Sequence, residues 1–169
     1  SNLLSKDEVL LNSLYEFYKK DQNMNKILPI VTGSSEISLR VLDYFVTNYS
    51  KVHDIKIKLS DNVNLNVYQD YKNKLKSYNK RFFDPFCRIN KKNMTNKIAF
   101  KYSKDNFIIT TIGQLNFFKW AITNKIIEYV NINHKVINDE MNMVNKINKK
   151  SIKDKVNEKD MINERLVNL

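Results

Sequence analysis

Apolar residues recur every three to four positions in four parts of the chain, and this spacing predicts amphipathic helices. The predicted helices cover residues 6–20, about 36–49, 67 to the Asp84-Pro85 step, and about 112–131. A capping box from Ser5 to Glu8 marks the start of the first helix. The fourth helix is apolar on more than one side, so we expect it to be buried at the centre of the core.

Two other stretches alternate between apolar and polar residues, which is the period of a β-strand. They predict β-hairpins over about 55–67 and about 98–109, and a three-residue loop at 60–62 closes the first. A short apolar run around Pro29 is expected to be extended.

Together these elements predict an α+β, mostly helical fold, with helices around the central buried helix and with two hairpins. A helix followed by a hairpin with a basic tip also resembles a winged-helix-like module, as an analogy of fold alone. We expect residues 1–148 to form a single globular domain. Residues 149–169 are rich in charge and poor in apolar side chains, which predicts a charged C-terminal helix or a partly ordered tail.

The sequence lacks the motifs of common enzyme and metal sites. Gly33 and Gly113 stand alone, so glycine-rich phosphate-binding loops are excluded. His53 and His134 have no second ligand at metal-binding spacing. No apolar run approaches the roughly 20 residues that cross a bilayer. We therefore expect no enzyme activity, no cofactor, no metal and no membrane partner.

The single cysteine, Cys87, admits two interpretations. A neighbouring cation such as Arg88 favours the reactive thiolate, but a catalytic histidine would have to come from far away in the sequence. The interpretation that we favour is a small buried side chain in an aromatic cluster with Phe83 and Phe86.

The chain is basic, with a formal net charge of +11, and the distribution of this charge is more informative than its total. Lysine, asparagine and isoleucine all use AT-rich codons, so biased codon usage explains part of the excess. Residues 51–104 carry 14 basic and four acidic groups, a net of +10, whereas residues 1–50 have a net of −1 and residues 105–169 a net of +2. Because codon usage acts on all three segments alike, the central excess indicates a surface for a polyanion.

The candidate nucleic-acid-binding residues are basic side chains of the third helix, the following loop and the second hairpin. They are Lys72, Lys76, Lys80, Arg81, Arg88, Lys91, Lys92, Lys97, Lys101 and Lys104. Lysine is a point charge that contacts phosphates without reading base edges, so the sequence predicts DNA or RNA binding with low specificity. The alternative is that these residues form a solubilising face on a core-packed helix.

Tyrosines of the third helix raise the same choice between binding and packing. Tyr68, Tyr71 and Tyr78 could stack on unpaired bases. Their helical spacing on the apolar side is more typical of core residues, and we favour that interpretation.

Two stretches resemble an uncharacterised family of giant nucleocytoplasmic DNA viruses, especially its mimivirus-like members. They are Arg81-Phe82-Phe83-Asp84-Pro85-Phe86-Cys87-Arg88 and Thr110-Thr111-Ile112-Gly113-Gln114-Leu115-Asn116-Phe117-Phe118-Lys119-Trp120-Ala121-Ile122. The resemblance covers roughly residues 25–145 and transfers no catalytic residue. It implies synthesis in a virus factory in the host cytoplasm and packaging in the virion, both rich in viral DNA.

The first hypothesis is therefore a non-enzymatic nucleic-acid-binding protein of a large DNA virus, acting in genome packaging or expression. The second is a virion or virus-factory scaffold protein that oligomerises or binds acidic viral proteins. Met141, Met143 and Met161, if exposed, would give that protein adaptable contacts. An enzyme of unrecognised type is the third alternative.

Overall fold

A computed structural model describes residues 5–86 and 97–168 and confirms a mostly helical α+β fold. The helices are α1 (Lys6–Lys19), α2 (Asn23–Val31), α3 (Leu39–Tyr44), α4 (Ser50–Val52), α5 (Val67–Phe83), α6 (Ile112–Thr123), α7 (Ile126–Ile132) and α8 (His134–Val167), with a π-helical turn at Phe45–Tyr49. The strands are β1 (Lys56–Ser60), β2 (Val63–Asn66), β3 (Ile98–Lys101) and β4 (Phe107–Thr110). The elements up to Ile132 form one compact unit, and Asn133–Leu169 form a second.

The core of the first unit is centred on α6, as its apolar sequence predicts. Every residue from Gly113 to Phe118 is buried. The Thr111 hydroxyl caps the helix by accepting from the Gln114 backbone N–H at 3.1 Å. The predicted single helix over 112–131 is divided into α6 and α7, because Lys125 between them has a left-handed backbone with φ of 57°.

The extended segment expected around Pro29 is wrong, since this residue lies inside α2. Met24, Ile27 and Ile30 are buried at a spacing of three, so one face of α2 packs into the core. Proline removes one backbone hydrogen bond from a helix, and burial of this face offsets that loss.

The second predicted helix begins later than expected and changes its winding. The Ser38 hydroxyl accepts from the Val41 N–H at 3.1 Å, so α3 begins at Leu39 rather than at residue 36. A π-helical turn follows α3 and leads into α4. There the Ser50 hydroxyl donates to the Val46 carbonyl at 3.0 Å, which satisfies a buried polar group inside the turn.

Both predicted hairpins are present, as two separate antiparallel two-stranded sheets. In the first, Ser60 pairs with Val63, so two residues close the loop instead of the three expected. The register shifts between Lys58 and Ser60. In the second, Phe100 lies opposite Ile108 and is buried.

Helix α5 ends where the Asp84-Pro85 step predicts, but it contains a kink. Asn79 has φ of 61° and ψ of 173°, which is not helical. The Asn79 side chain accepts from the Arg81 N–H at 3.0 Å and so caps the last turn. The face that carries Lys72 and Lys76 therefore does not continue with regular helical spacing to Lys80.

Helix α8 runs without a break through the point at residue 148 where the sequence predicts the end of the globular domain. All described residues from Lys146 to Asn168 are exposed. The predicted division into a domain over 1–148 and a segment over 149–169 stays a prediction.

Candidate nucleic-acid interface

The lysines predicted on α5 are exposed, and in the described part of the chain they form no ion pair. Lys72 and Lys76 lie one turn apart on the same helix face, and Lys80 follows the kink. Within residues 5–86 and 97–168, the ion pairs of the structure involve none of these three ammonium groups. Their charge is therefore available to an external anion.

Arg81 differs from these lysines because its guanidinium has a partner. Its Nη2 lies 2.7 Å from Asp7 Oδ2, which links the end of α5 to the start of α1. The guanidinium carbon also lies 5.0 Å from the centre of the Phe82 ring. Since this pair is largely exposed, its contribution to stability is modest, but a phosphate would have to compete with Asp7.

The second hairpin contributes three further predicted cations, all exposed. Lys97 precedes β3, Lys101 ends it, and Lys104 lies in the turn before β4. No carboxylate of the described chain forms an ion pair with them. The remaining predicted residues, Arg88, Lys91 and Lys92, lie outside the described residues.

The lysines of α5 and those of the second hairpin lie on elements that pack against different helices. The hairpin packs on α1, where the Phe100 ring stacks on the Tyr15 ring with centroids 4.4 Å apart. Helix α5 packs on α6, where the Phe83 ring meets the Trp120 ring edge-on at 5.6 Å. The contacts thus bring the predicted cations together as two groups, one on α5 and one on the hairpin.

The tyrosines of α5 are mainly packing residues, as expected. Tyr71 is buried between Phe83 and Trp120, with ring centroids 6.0 Å from each. Tyr68 and Tyr78 are half-buried. These positions favour a role in the core over a role in base stacking.

An open groove between α1 and the second hairpin contains residues that the sequence does not single out. It encloses about 450 Å³. The groove residues are Tyr15, Tyr18, Lys19, Phe100, Lys101, Tyr102, Ser103 and Lys104. The helical spacing of Tyr15 and Lys19, four residues apart on α1, could have indicated a shared face, but only tertiary structure brings that face to the hairpin.

The two stretches from which the sequence analysis predicts a family resemblance meet in the fold. We call their contact the α5–α6 joint (residues 81–86 and 110–120). The Gln114 side chain donates to the Pro85 carbonyl at 2.9 Å and accepts from the Thr110 hydroxyl at 2.6 Å. Asn116 Nδ2 donates to the Phe82 carbonyl at 2.9 Å. The Gln114 bonds are buried and the Asn116 bond is partly buried, which indicates a structural role for both stretches.

The backbones approach closely at the same joint. A Cβ atom at Gly113 would lie 2.7 Å from the Arg81 carbonyl oxygen and 3.1 Å from the Asp84 nitrogen. Trp120 Nε1 donates to Asp70 Oδ2 at 2.6 Å and links the first turn of α5 to α6. Glycine is thus required at 113 for space.

Two other kinds of site come into question in the described residues, a metal site and a membrane-spanning helix. These residues contain no group of three or more histidine, cysteine or acidic side chains that could hold a metal ion. Among the same residues, no helix is both long enough and apolar enough to span a membrane. The interpretation of Cys87 as a buried side chain lies outside the described residues.

Comparisons with known proteins support the resemblance in its coarse form. A family model described as a family of unknown function, DUF7197, matches residues 3–167. The chain is also 41% identical over 148 residues to "Uncharacterized protein L507" of Acanthamoeba polyphaga mimivirus, a match that covers 85% of this chain. The chain spans 56% of the length of that relative. No solved structure matches, so the winged-helix comparison stays a prediction.

Proposed function

We propose that this chain is a non-enzymatic protein that binds the phosphate backbone of DNA or RNA with low sequence specificity. The chain belongs to the DUF7197 family and is similar to a giant-virus protein. The observation that carries the proposal is the excess positive charge of the central segment, together with those of its exposed lysines that form no ion pair in the described chain. Residues 51–104 have a net charge of +10, and exposed lysines on α5 and the second hairpin have no ion-pair partner in the described chain.

Unpaired lysines suit a phosphate backbone for a physical reason. Each lysine that neutralises a phosphate releases condensed counterions, and this release supplies most of the free energy of non-specific binding. Lysine lacks the bidentate fork of arginine, which reads guanine edges. Arg81, the arginine of the described interface, is already paired with Asp7. Low sequence specificity follows.

The non-enzymatic part of the proposal is supported by the sequence. It contains no glycine-rich phosphate-binding motif, and its two histidines and single cysteine lack the spacing of a metal site.

The biological setting of this binding is the replication of a large DNA virus. The similarity to a mimivirus protein supports this setting. We assign the protein to genome packaging or expression, in the virus factory of the host cytoplasm and in the virion. The lysine surface would then act on abundant viral nucleic acid, for which modest affinity is sufficient.

The test measures the binding of duplex DNA, single-stranded DNA and RNA over a range of salt concentrations. A variant with Lys72, Lys76, Lys80 and Lys97 changed to glutamine should bind more weakly. For duplex DNA its slope of log K against log salt should shrink by roughly 0.9 for each phosphate that is no longer neutralised. Because these side chains are exposed, its free energy of unfolding should change by less than about 0.5 kcal/mol per site.

The matched control changes the same number of exposed lysines in α8, namely Lys149, Lys150, Lys153 and Lys155. The two variants lose equal charge, so a local binding surface predicts a larger loss of affinity for the central variant. Equal losses would show that only total charge matters. Absence of any complex at low salt would refute the proposal.

A second candidate, the scaffold protein, is favoured by the surface of α8. Large apolar side chains are more than half exposed along this helix, among them Ile152 at 63% and Leu166 at 63%. Met143 and Met161 are also more than half exposed, as this hypothesis requires, whereas Met141 is buried. Such side chains could contact another copy of the chain or acidic viral proteins.

Light scattering separates the two candidates. The scaffold function requires a mass above that of one chain, and substitution of Ile152 and Leu166 by serine should lower it. A strict monomer that still binds nucleic acid would contradict the scaffold function and leave the first proposal standing.

A further inference from the structure

The groove between α1 and the second hairpin combines aromatic side chains with lysines, and none of its lining residues is acidic. Its volume of about 450 Å³ lies in the range of small-ligand sites. All of its lining residues belong to the first compact unit and to the described part of the chain. Its shape and composition therefore indicate a ligand that is both planar and negatively charged.

The aromatic wall is held in place by contacts inside the protein. The Tyr18 hydroxyl donates to the Leu115 carbonyl at 2.5 Å, and the Tyr18 ring meets the Phe100 ring edge-on at 5.8 Å. The Tyr15 ring also stacks on Phe100, nearly parallel at 13°. A wall fixed in this way loses little conformational entropy when a ligand binds.

Tyr102 is the aromatic residue of the groove that is free to stack. It is half-buried, and its ring contacts no other aromatic ring of the described residues. Its backbone N–H is fixed by a bond to the Asn106 carbonyl at 3.1 Å, which holds the residue at the base of the turn. A planar ligand in the groove would cover the part of the ring that solvent now contacts.

Three lysines supply the positive charge of the groove. Lys101 and Lys104 form no ion pair with the described carboxylates. Lys19 lies 3.5 Å from Glu16 Oε1, but both side chains are about two-thirds exposed, so this pair is weak and easily exchanged. An anion in the groove would meet three ammonium groups, with little competition from carboxylates of the described chain.

We propose that the groove binds one unpaired nucleotide of single-stranded DNA or RNA, with the base against Tyr102 and the phosphates near Lys101 and Lys104. A planar base attached to a phosphate matches both the aromatic and the cationic parts of the site. The bases of a duplex are stacked inside the helix and could not reach Tyr102. This inference rests on the proposed function and adds to it a preference for single strands.

The test compares the binding of labelled oligo-dT, oligo-U and a duplex of equal length by fluorescence anisotropy. Tyr102→Leu keeps an apolar side chain but removes the ring, and it should weaken single-strand binding by about 5- to 150-fold. Duplex affinity should change by less than about twofold, because phosphate contacts remain. Tyr102→Phe should retain binding, and Tyr68→Leu, a half-buried tyrosine outside the groove, is the control.

An abasic strand that keeps its phosphates provides the second measurement. Wild-type protein and Tyr102→Leu should bind it equally, since the ring has no base to contact.

If wild type binds none of the probes, the proposed function itself fails. Two other outcomes overturn the groove inference and leave the backbone-binding function standing. In the first, Tyr102→Leu weakens the binding of single strands and of duplex equally. In the second, it changes the binding of neither. A larger effect on oligo-U than on oligo-dT would identify RNA as the ligand, and the reverse DNA.

Discussion

The α5–α6 joint and the groove on α1 both depend on aromatic side chains, but they use them in opposite ways. At the joint, Phe83 is fully buried and contacts Phe117 and Trp120. In the groove, Tyr15 and Tyr102 stay half-buried beside lysines. At the joint, other side chains of the protein cover the aromatic ring. In the groove, part of each of these two residues stays open to solvent or to a ligand. Stability and binding are therefore expected to respond to different substitutions.

The two sequence stretches on which we base the predicted resemblance both lie at the joint, where Gln114 and Asn116 each hydrogen-bond to the opposite stretch. Stretches that hold a fold together do not identify a ligand. The groove residues belong to neither stretch, although the family model, which matches residues 3–167, covers them as well.

The largest effect is expected from Phe83→Ala, which removes the central ring of the joint. The side chain is fully buried, so its loss should lower the free energy of unfolding by about 3–5 kcal/mol. Phe107→Ala on β4 is the matched control, because Phe107 is 60% exposed and should cost less than about 1 kcal/mol. Urea unfolding followed by circular dichroism measures both variants, and equal losses would contradict the packing of α5 on α6.

A smaller effect is expected from Gly113→Ala, which tests the close approach of the two backbones. The added Cβ would meet the Arg81 carbonyl at 2.7 Å, and backbone atoms cannot move aside cheaply. We expect a loss of about 1–3 kcal/mol, although alanine is otherwise the better helix former. In urea unfolding, a variant as stable as wild type would show that the backbones do not approach this closely.

Gly33→Ala tests the effect of backbone conformation on stability without the steric clash that Gly113→Ala creates. A Cβ at Gly33 would meet nothing within 4 Å, but φ is +81° there. The expected cost of about 1–2 kcal/mol then arises from the left-handed conformation alone. Nucleic-acid binding of both glycine variants should match that of wild type wherever they remain folded.

The sequence predicts those parts of the fold that are encoded locally. The Ser5 to Glu8 capping box is present with both of its hydrogen bonds, and alternation of apolar and polar residues locates both hairpins. Pro29 misleads because proline usually disrupts a helix interior, whereas the burial of the α2 face that offsets this cost depends on tertiary contacts. The left-handed Lys125 that divides α6 from α7 has no local signal, since lysine rarely adopts this conformation.

The candidate site was predictable in its charge but not in its geometry. Exposed lysines follow from the polar face of α5 and from the hairpin turn. The pairing of Arg81 with Asp7 and the approach of Lys19 to Tyr102 join residues that are more than 70 positions apart in the chain. Periodicity describes one element at a time, so contacts between distant elements require tertiary structure.

The smallest effect is expected from Tyr18→Phe, which changes the one residue that belongs to the groove and is also bonded to α6. Loss of the hydrogen bond to the Leu115 carbonyl should cost about 1 kcal/mol at neutral pH.

Burial raises the pKa of Tyr18 in the folded state. Below about pH 10 the hydroxyl is neutral in both folded and unfolded chains, but above this value only the unfolded chain releases its proton. Wild type should therefore lose stability with rising pH more steeply than Tyr18→Phe, as urea midpoints between pH 7 and about pH 11 would show. Parallel curves would mean that Tyr18 is accessible to hydroxide through the groove, and the wall would then be less rigid than the proposed nucleotide site requires.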